Sequence, residues 1–149
     1  MRKFNIIKAA LNICKKIIKQ PYGQLVIIHG PSGSGKTSIL KLLNQEVSSS
    51  NYLLFCTCEN LVEGYIEAIK SERLTELYTS VKAKNIILID DTQYIFGKPA
   101  TQKEIAKLLS AAIKNGAMVF LTVDNLMYLK SLIEEIPFDE KIIDLSPRN

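Results

Sequence analysis

Eight consecutive residues, Gly30, Pro31, Ser32, Gly33, Ser34, Gly35, Lys36 and Thr37, fit the pattern G-x-x-x-x-G-K-[ST] at every fixed position. The pattern suits one kind of chemistry. Glycines let successive backbone N–H groups turn toward a single anion, the lysine adds a full positive charge, and the hydroxyl after it can ligate a divalent cation. The expected ligand is ATP or ADP, cradled by these residues and Ser38, with Lys36 on the β- and γ-phosphates and Thr37 on Mg²⁺. A Gly/Ser-rich turn with an incidental lysine would look similar in isolation. The flanks argue against it: 25–28 is an apolar run that reads as a buried strand, and 38–43 continues as a helix. Strand, loop and helix in that order aim the positive end of the helix at the anion.

A loop of this kind holds a triphosphate but does not cleave it; cleavage needs a metal partner and a group that orients water. Asp90 and Asp91 end the most strand-like run in the chain, 85–91. Asp90 is placed to bind Mg²⁺ through water, opposite Thr37, and Asp91 to accept a hydrogen bond from the attacking water as base or polarising group. The alternative is a solvated Asp-Asp turn. Asp124 and Asn125 tip the next strand and could reach the γ-phosphate or its water, although both residue types are also common strand endings.

The elements that must position these groups follow from hydrophobic periodicity. A helix over the first twenty residues places Phe4, Ile7, Leu11, Cys14 and Ile18 on one face, with Lys8, Lys15 and Lys19 on the other. Turn chemistry at 20–23 delivers the first strand. After the loop helix and a short polar stretch at 48–51, residues 52–58 read as a strand. Asn60 with Glu63 resembles a capping box that opens a helix through Leu61, Tyr65, Ile66 and Ile69, and Leu74, Leu77, Tyr78 and Val81 form a second helical piece. Thr101 with Glu104 resembles another box, before a helix through Ile105, Leu108, Leu109, Ala112 and Ile113 that Asn115-Gly116 closes. Strand 117–123, a helix over 126–136 and a last strand over 141–145 complete the chain. This alternation predicts an α/β fold: a parallel five-stranded sheet flanked by helices in three layers, with ligands at the carboxyl ends of the strands.

At 149 residues the chain is expected to form one domain that needs no disulfide or metal to stabilise it. No apolar run approaches the ~20 residues of a membrane span, and lysines interrupt the N-terminal segment where a signal peptide would be continuous, so the cytoplasm is the expected location. Cys14, Cys56 and Cys58 cannot all pair and lack metal-ligand spacing; Cys56 and Cys58 would share a strand face as small core residues. His29, at a strand end, is assigned no role. The net charge of +4 is uneven. Arg2, Lys3, Lys8, Lys15, Lys16 and Lys19 lie in the first twenty residues with no acid among them, and the remainder is slightly acidic. These N-terminal lysines form a solvated face, a contact to single- or double-stranded DNA, or a membrane-surface helix; a membrane role is the least expected.

The run 87–94, Ile-Leu-Ile-Asp-Asp-Thr-Gln-Tyr, followed by Gly97-Lys98 and Thr101-Gln102-Lys103-Glu104, resembles the AAA+ module of the bacterial replication initiator (DnaA) family, including its Hda-like regulators. Asp-Asp followed by x-Gln-aromatic is the most specific part. The likeness runs from about 5 to 124 and more weakly to 147. It implies a P-loop NTPase base subdomain with residues 30–37 as Walker A, Asp90 and Asp91 as Walker B, and Asp124 as sensor 1. It also implies that the helical excursion at 60–83 is an initiator-specific insertion, with Val62 and Lys98 at positions that line a single-stranded DNA path; Ala100 stands where the family has an arginine. A helical lid and a helix-turn-helix domain, which the family also carries, are not expected within 1–149. The only arginines are Arg2, Arg73 and Arg148, so the segment 126–136 has none to serve as an arginine finger.

Three readings follow. The first is an ATP-binding, DnaA-like AAA+ protein in replication initiation or its regulation, with weak or partner-dependent ATP hydrolysis, a replication initiator or helicase-type protein as partner, and an ATP-dependent oligomer as one possible assembly. The second is a small P-loop kinase acting on a small-molecule acceptor, although such transfer usually draws on several arginines. The third is a binding module that nucleotide only stabilises.

Overall fold

The computed structural model describes residues 2–47 and 52–147; the expected polar stretch at 48–51 and Arg148 lie outside them. Five parallel strands form one sheet in the order β2-β3-β4-β1-β5. These are β1 (Gln24–His29), β2 (Leu53–Thr57), β3 (Ile86–Asp90), β4 (Met118–Val123) and β5 (Glu140–Asp144). β3 and β4 are buried at every position, as strands covered on both faces must be.

Side chains alternate across the sheet and build two cores. On one face Val26, Ile28, Leu88 and Phe120 pack under α1 (Arg2–Ile18) and α2 (Lys36–Val47). On the other, Leu25, Ile27, Ile87, Ile89, Val119 and Leu121 pack under α3 (Cys58–Lys70), α4 (Leu74–Lys82), α5 (Pro99–Lys114) and α6 (Lys130–Glu135). From β1 the chain passes through α2 to the far edge strand β2, then returns strand by strand to β4 and passes β1 to reach β5. The direction of winding therefore changes beside β1, and a ligand crevice opens at that point.

Several local expectations are corrected. Cys58 does not extend β2; it is the first residue of α3, because Thr57 already caps that helix, its hydroxyl accepting from the Asn60 N–H at 3.1 Å. The Asn60/Glu63 box is thus displaced, Cys56 and Cys58 do not share a strand face, and Ile66 and Ile69 face outward. α5 begins at Pro99 rather than near Thr101, since proline at the first helical position needs no hydrogen bond for its missing N–H. On α1 the buried residues are Ala10, Cys14 and Ile17, while Phe4 is 66% exposed. The segment after β4 opens as a 3₁₀ turn, Leu126–Leu129, before α6. Asn115 and Gly116 do close α5, with Gly116 at φ 99° in the conformation that glycine adopts freely.

Burial pushes the thiols of Cys14 and Cys58 up to about 12 and that of Cys56 up to about 11. All three stay protonated at neutral pH and act as small packing groups. Among the described residues no helix is long and apolar enough to cross a membrane.

Phe120 is fully buried at the middle of β4. Phe120→Ala is expected to cost about 3–5 kcal/mol, read as a lowered urea midpoint with an unchanged slope.

Candidate nucleotide-binding site

β1 ends at His29, and the eight-residue loop turns directly into α2. Two of its glycines carry positive φ, Gly33 at 81° and Gly35 at 106°. This backbone is open to glycine and strained for other residues. Gly35 is also where α1 meets the loop: a Cβ there would collide with the side chain of Ile7. A Cβ at Gly30 would crowd Ser34 and Leu145, and the Gly30 N–H donates to the Val123 carbonyl at 3.3 Å, tying the loop to the end of β4.

Lys36 is 6% exposed. Its ammonium donates to the carbonyls of Gly30 at 2.5 Å and Pro31 at 2.9 Å, and it pairs with Asp124 Oδ1 at 3.3 Å. The three ammonium protons thus have three oxygen partners. Anionic phosphate could take Asp124's place as counter-charge.

Thr37 Oγ1 donates to Asp90 Oδ2 at 2.7 Å, joining the start of α2 to the end of β3. The other carboxylate oxygen, Asp90 Oδ1, accepts from the Thr122 hydroxyl. That same hydroxyl accepts the Asp91 N–H at 2.8 Å, and Thr92 Oγ1 donates to the Thr122 carbonyl at 2.7 Å. Thr122 is therefore the knot that joins β3 to β4 beneath the site. The sequence reading missed it. Its signal was a hydroxyl in a run otherwise wholly apolar, since a buried polar group is the informative departure. Asp91 turns out of the strand at φ 59°, ψ 53°, a left-handed conformation that aspartate tolerates, and so faces the loop instead of continuing into the sheet.

These groups surround a cavity of about 220 Å³ lined by Ser32, Gly33, Gly35, Lys36, Thr37 and Ser38, with Asp91, Asp124 and Lys3 across from them. A second cavity of about 340 Å³ adjoins it, sharing Lys3, Ser32 and Gly33, and its further walls include the apolar Ile6, Pro31, Leu145 and Pro147. The pair offers a polar chamber at the loop and an apolar chamber beside it. Asn125 does not enter: its side chain caps the following turn by accepting the Met127 N–H at 2.9 Å. Its expected sensor role is thereby corrected, whereas Asp124 lines the chamber.

Mg²⁺ suits this donor set. Among the described residues no cluster of three or more His, Cys, Asp or Glu forms a metal cage. The hydroxyl of Thr37 and the carboxylate of Asp90 converge instead, and Mg²⁺ characteristically takes one or two protein oxygens and fills its octahedron with water and phosphate.

Val62, expected beside a DNA path, is 6% exposed and packs in the core with Leu61 and Tyr65, so it is not available for such a contact. Lys98 is exposed and lies 3.8 Å above the Tyr94 ring. Elsewhere, the Tyr65 hydroxyl donates to Glu104 at 2.7 Å. Burial first and that bond second push Tyr65 up to about 12, and the bond holds Glu104 below its ordinary value.

Comparison with known proteins places this geometry. The profile of the bacterial DnaA ATPase domain matches residues 4–136. The chromosomal replication initiator protein DnaA of Francisella tularensis subsp. novicida is 29% identical over 102 residues, covering 66% of this chain and 21% of the relative. The chain thus spans about a fifth of the length of the curated relatives it matches. Domain III of Thermotoga maritima DnaA superposes with a TM-score of 0.80 at 21% identity, over 95% of this chain and 63% of that one. A replication initiator DnaA bound to AMPPCP and single-stranded DNA superposes at 0.69 with 18% identity, over 94% and 44%.

Thr122→Val keeps the shape of the side chain but removes the hydroxyl shared by Asp90 and Asp91. It is expected to lower stability by about 1–3 kcal/mol in urea unfolding and to weaken Mg²⁺-dependent ATP binding, while Thr122→Ser retains both.

Proposed function

This chain belongs to the bacterial DnaA ATPase-domain family, and on that premise we propose that it binds ATP and ADP with Mg²⁺ and acts in replication initiation or its regulation. One observation supports this most: adjacent Lys36 and Thr37 meet carboxylates from two other stretches of sequence, Asp124 lining the same chamber at 3.3 Å and Asp90 just beneath it at 2.7 Å. Phosphates lie along the loop N–H groups and Lys36, and the base occupies the apolar chamber against Ile6, Leu145 and Pro147. Thr37 and Asp90 would hold Mg²⁺, which would neutralise part of the phosphate charge.

Hydrolysis is slow in the isolated chain. Asp91 accepts a hydrogen bond from the attacking water, and Asp124 senses the γ-phosphate through its contact with Lys36. Among the described residues no arginine lines the chamber, and the 126–136 segment carries only Lys130 as a cation. An arginine finger is worth about 10³ to 10⁵ in rate where one is used, so a partner protein, a replication initiator or helicase-type factor, raises turnover. Single-stranded DNA is a further partner through Lys98 and Tyr94, with Val62 excluded by its burial. With three arginines in the sequence and none among the described residues of the chamber, a small-molecule acceptor would lack an arginine cluster, which disfavours the kinase reading.

Purified chain with Mg²⁺ is expected to bind ATP and turn it over negligibly until a partner is added. Lys36→Ala should abolish ATP binding with an unchanged circular dichroism spectrum; unchanged affinity would overturn the assignment. Brisk turnover by the chain alone, or phosphate transfer to a small acceptor, would overturn the switch-like reading.

A further inference from the structure

Lys3 stands at the junction of the two chambers and lines both, although it lies 33 residues before Lys36 on a different helix. It shares its face of α1 with Ile7, four residues on, and Ile7 fills the space a side chain would take at Gly35. α1 is in turn fixed to the sheet by buried Ala10, Cys14 and Ile17. The first turn of α1 is thereby held over the phosphate loop.

The charges at this place are unevenly committed. Lys36 already has an oxygen for each of its ammonium protons. The same chamber presents two carboxylates, Asp91 and Asp124, with Asp90 just beneath. A triphosphate adds several more negative charges, and Mg²⁺ offsets only part of them. Among the described residues Lys3 is the other cation in the lining, is exposed, and makes no ion pair. From these observations we infer that Lys3 is a second phosphate-contacting cation, delivered by the N-terminal helix, so that a bound nucleotide also fastens α1 onto the loop. The inference rests on the nucleotide-binding reading above and adds to it a residue outside the loop motif.

The test compares ATP and adenosine affinities by equilibrium titration for the full chain and for Lys3→Gln, Lys3→Arg and Lys8→Gln, Lys8 being an exposed lysine of the same helix that lines neither chamber. Lys3→Gln is expected to weaken ATP about tenfold and to leave adenosine unchanged, with Lys3→Arg and Lys8→Gln near the parent. ATP bound equally by Lys3→Gln and the parent would overturn the inference and leave the nucleotide site standing. Equal losses for ATP and adenosine would overturn it too, because they would point to a displaced helix instead of a lost phosphate contact. Failure of the parent chain to bind ATP at all would remove both readings together.

Discussion

Asp90 is a carboxylate at 5% exposure, at the end of a strand whose other residues are all apolar. An ionised group so placed costs several kcal/mol unless its oxygens find donors. Thr37 supplies one donor from the start of α2, and Thr122 supplies the other from β4. Satisfying this one carboxylate therefore fixes the spacing of three elements at the carboxyl end of the sheet. The loop between β1 and α2 cannot drift from β3, and β3 cannot slide against β4, without leaving a buried charge unpaired. The position of Asp91 follows from the same arrangement. Its N–H is held by Thr122 while its backbone leaves the strand through a left-handed turn, which presents its side chain to the loop.

A second constraint comes from the other side of the loop. Gly35 has no side chain and a backbone conformation suited to none, and Ile7 takes up the space. The N-terminal helix is thus part of the wall of the site as well as a cover for one face of the sheet. Its basic character looks like a property of an outer surface when the residues are read in order. In the fold its first turn lies against the phosphate loop, while Lys15 pairs with Glu46 of α2 at 3.1 Å. The same run of lysines thereby serves two different neighbours.

The glycine-rich loop, the strand before it, the helix after it and the paired aspartates could all be read from the sequence, because each is local: a fixed spacing beside a sustained hydrophobic period. The parallel five-stranded sheet followed from alternating strands and helices, but its strand order did not. What could not be read depends on groups distant in sequence. Thr122 matters because β4 lies beside β3, and Lys3 because α1 crosses the loop. Val62 was assigned to a DNA path by the family resemblance alone, but which face of α3 meets the sheet is decided by tertiary packing, and Val62 lies on that face. Helix starts failed where two signals competed. Pro99 and Thr57 each displaced a plausible box a few residues downstream, since a residue with no N–H to satisfy, or a hydroxyl already at the strand end, meets the needs of the helix terminus earlier.

The central claim is that Thr37 and Asp90 form half of a metal site that nucleotide phosphates complete. Titration of the chain with Mn²⁺, followed by electron paramagnetic resonance with and without the ATP analogue AMPPCP, tests it most directly. With a single buried carboxylate the protein alone should hold Mn²⁺ weakly; with analogue present, one Mn²⁺ per chain should bind and show hyperfine coupling to phosphorus. Mn²⁺ bound tightly without nucleotide, or bound with it but without phosphorus coupling, would contradict the account.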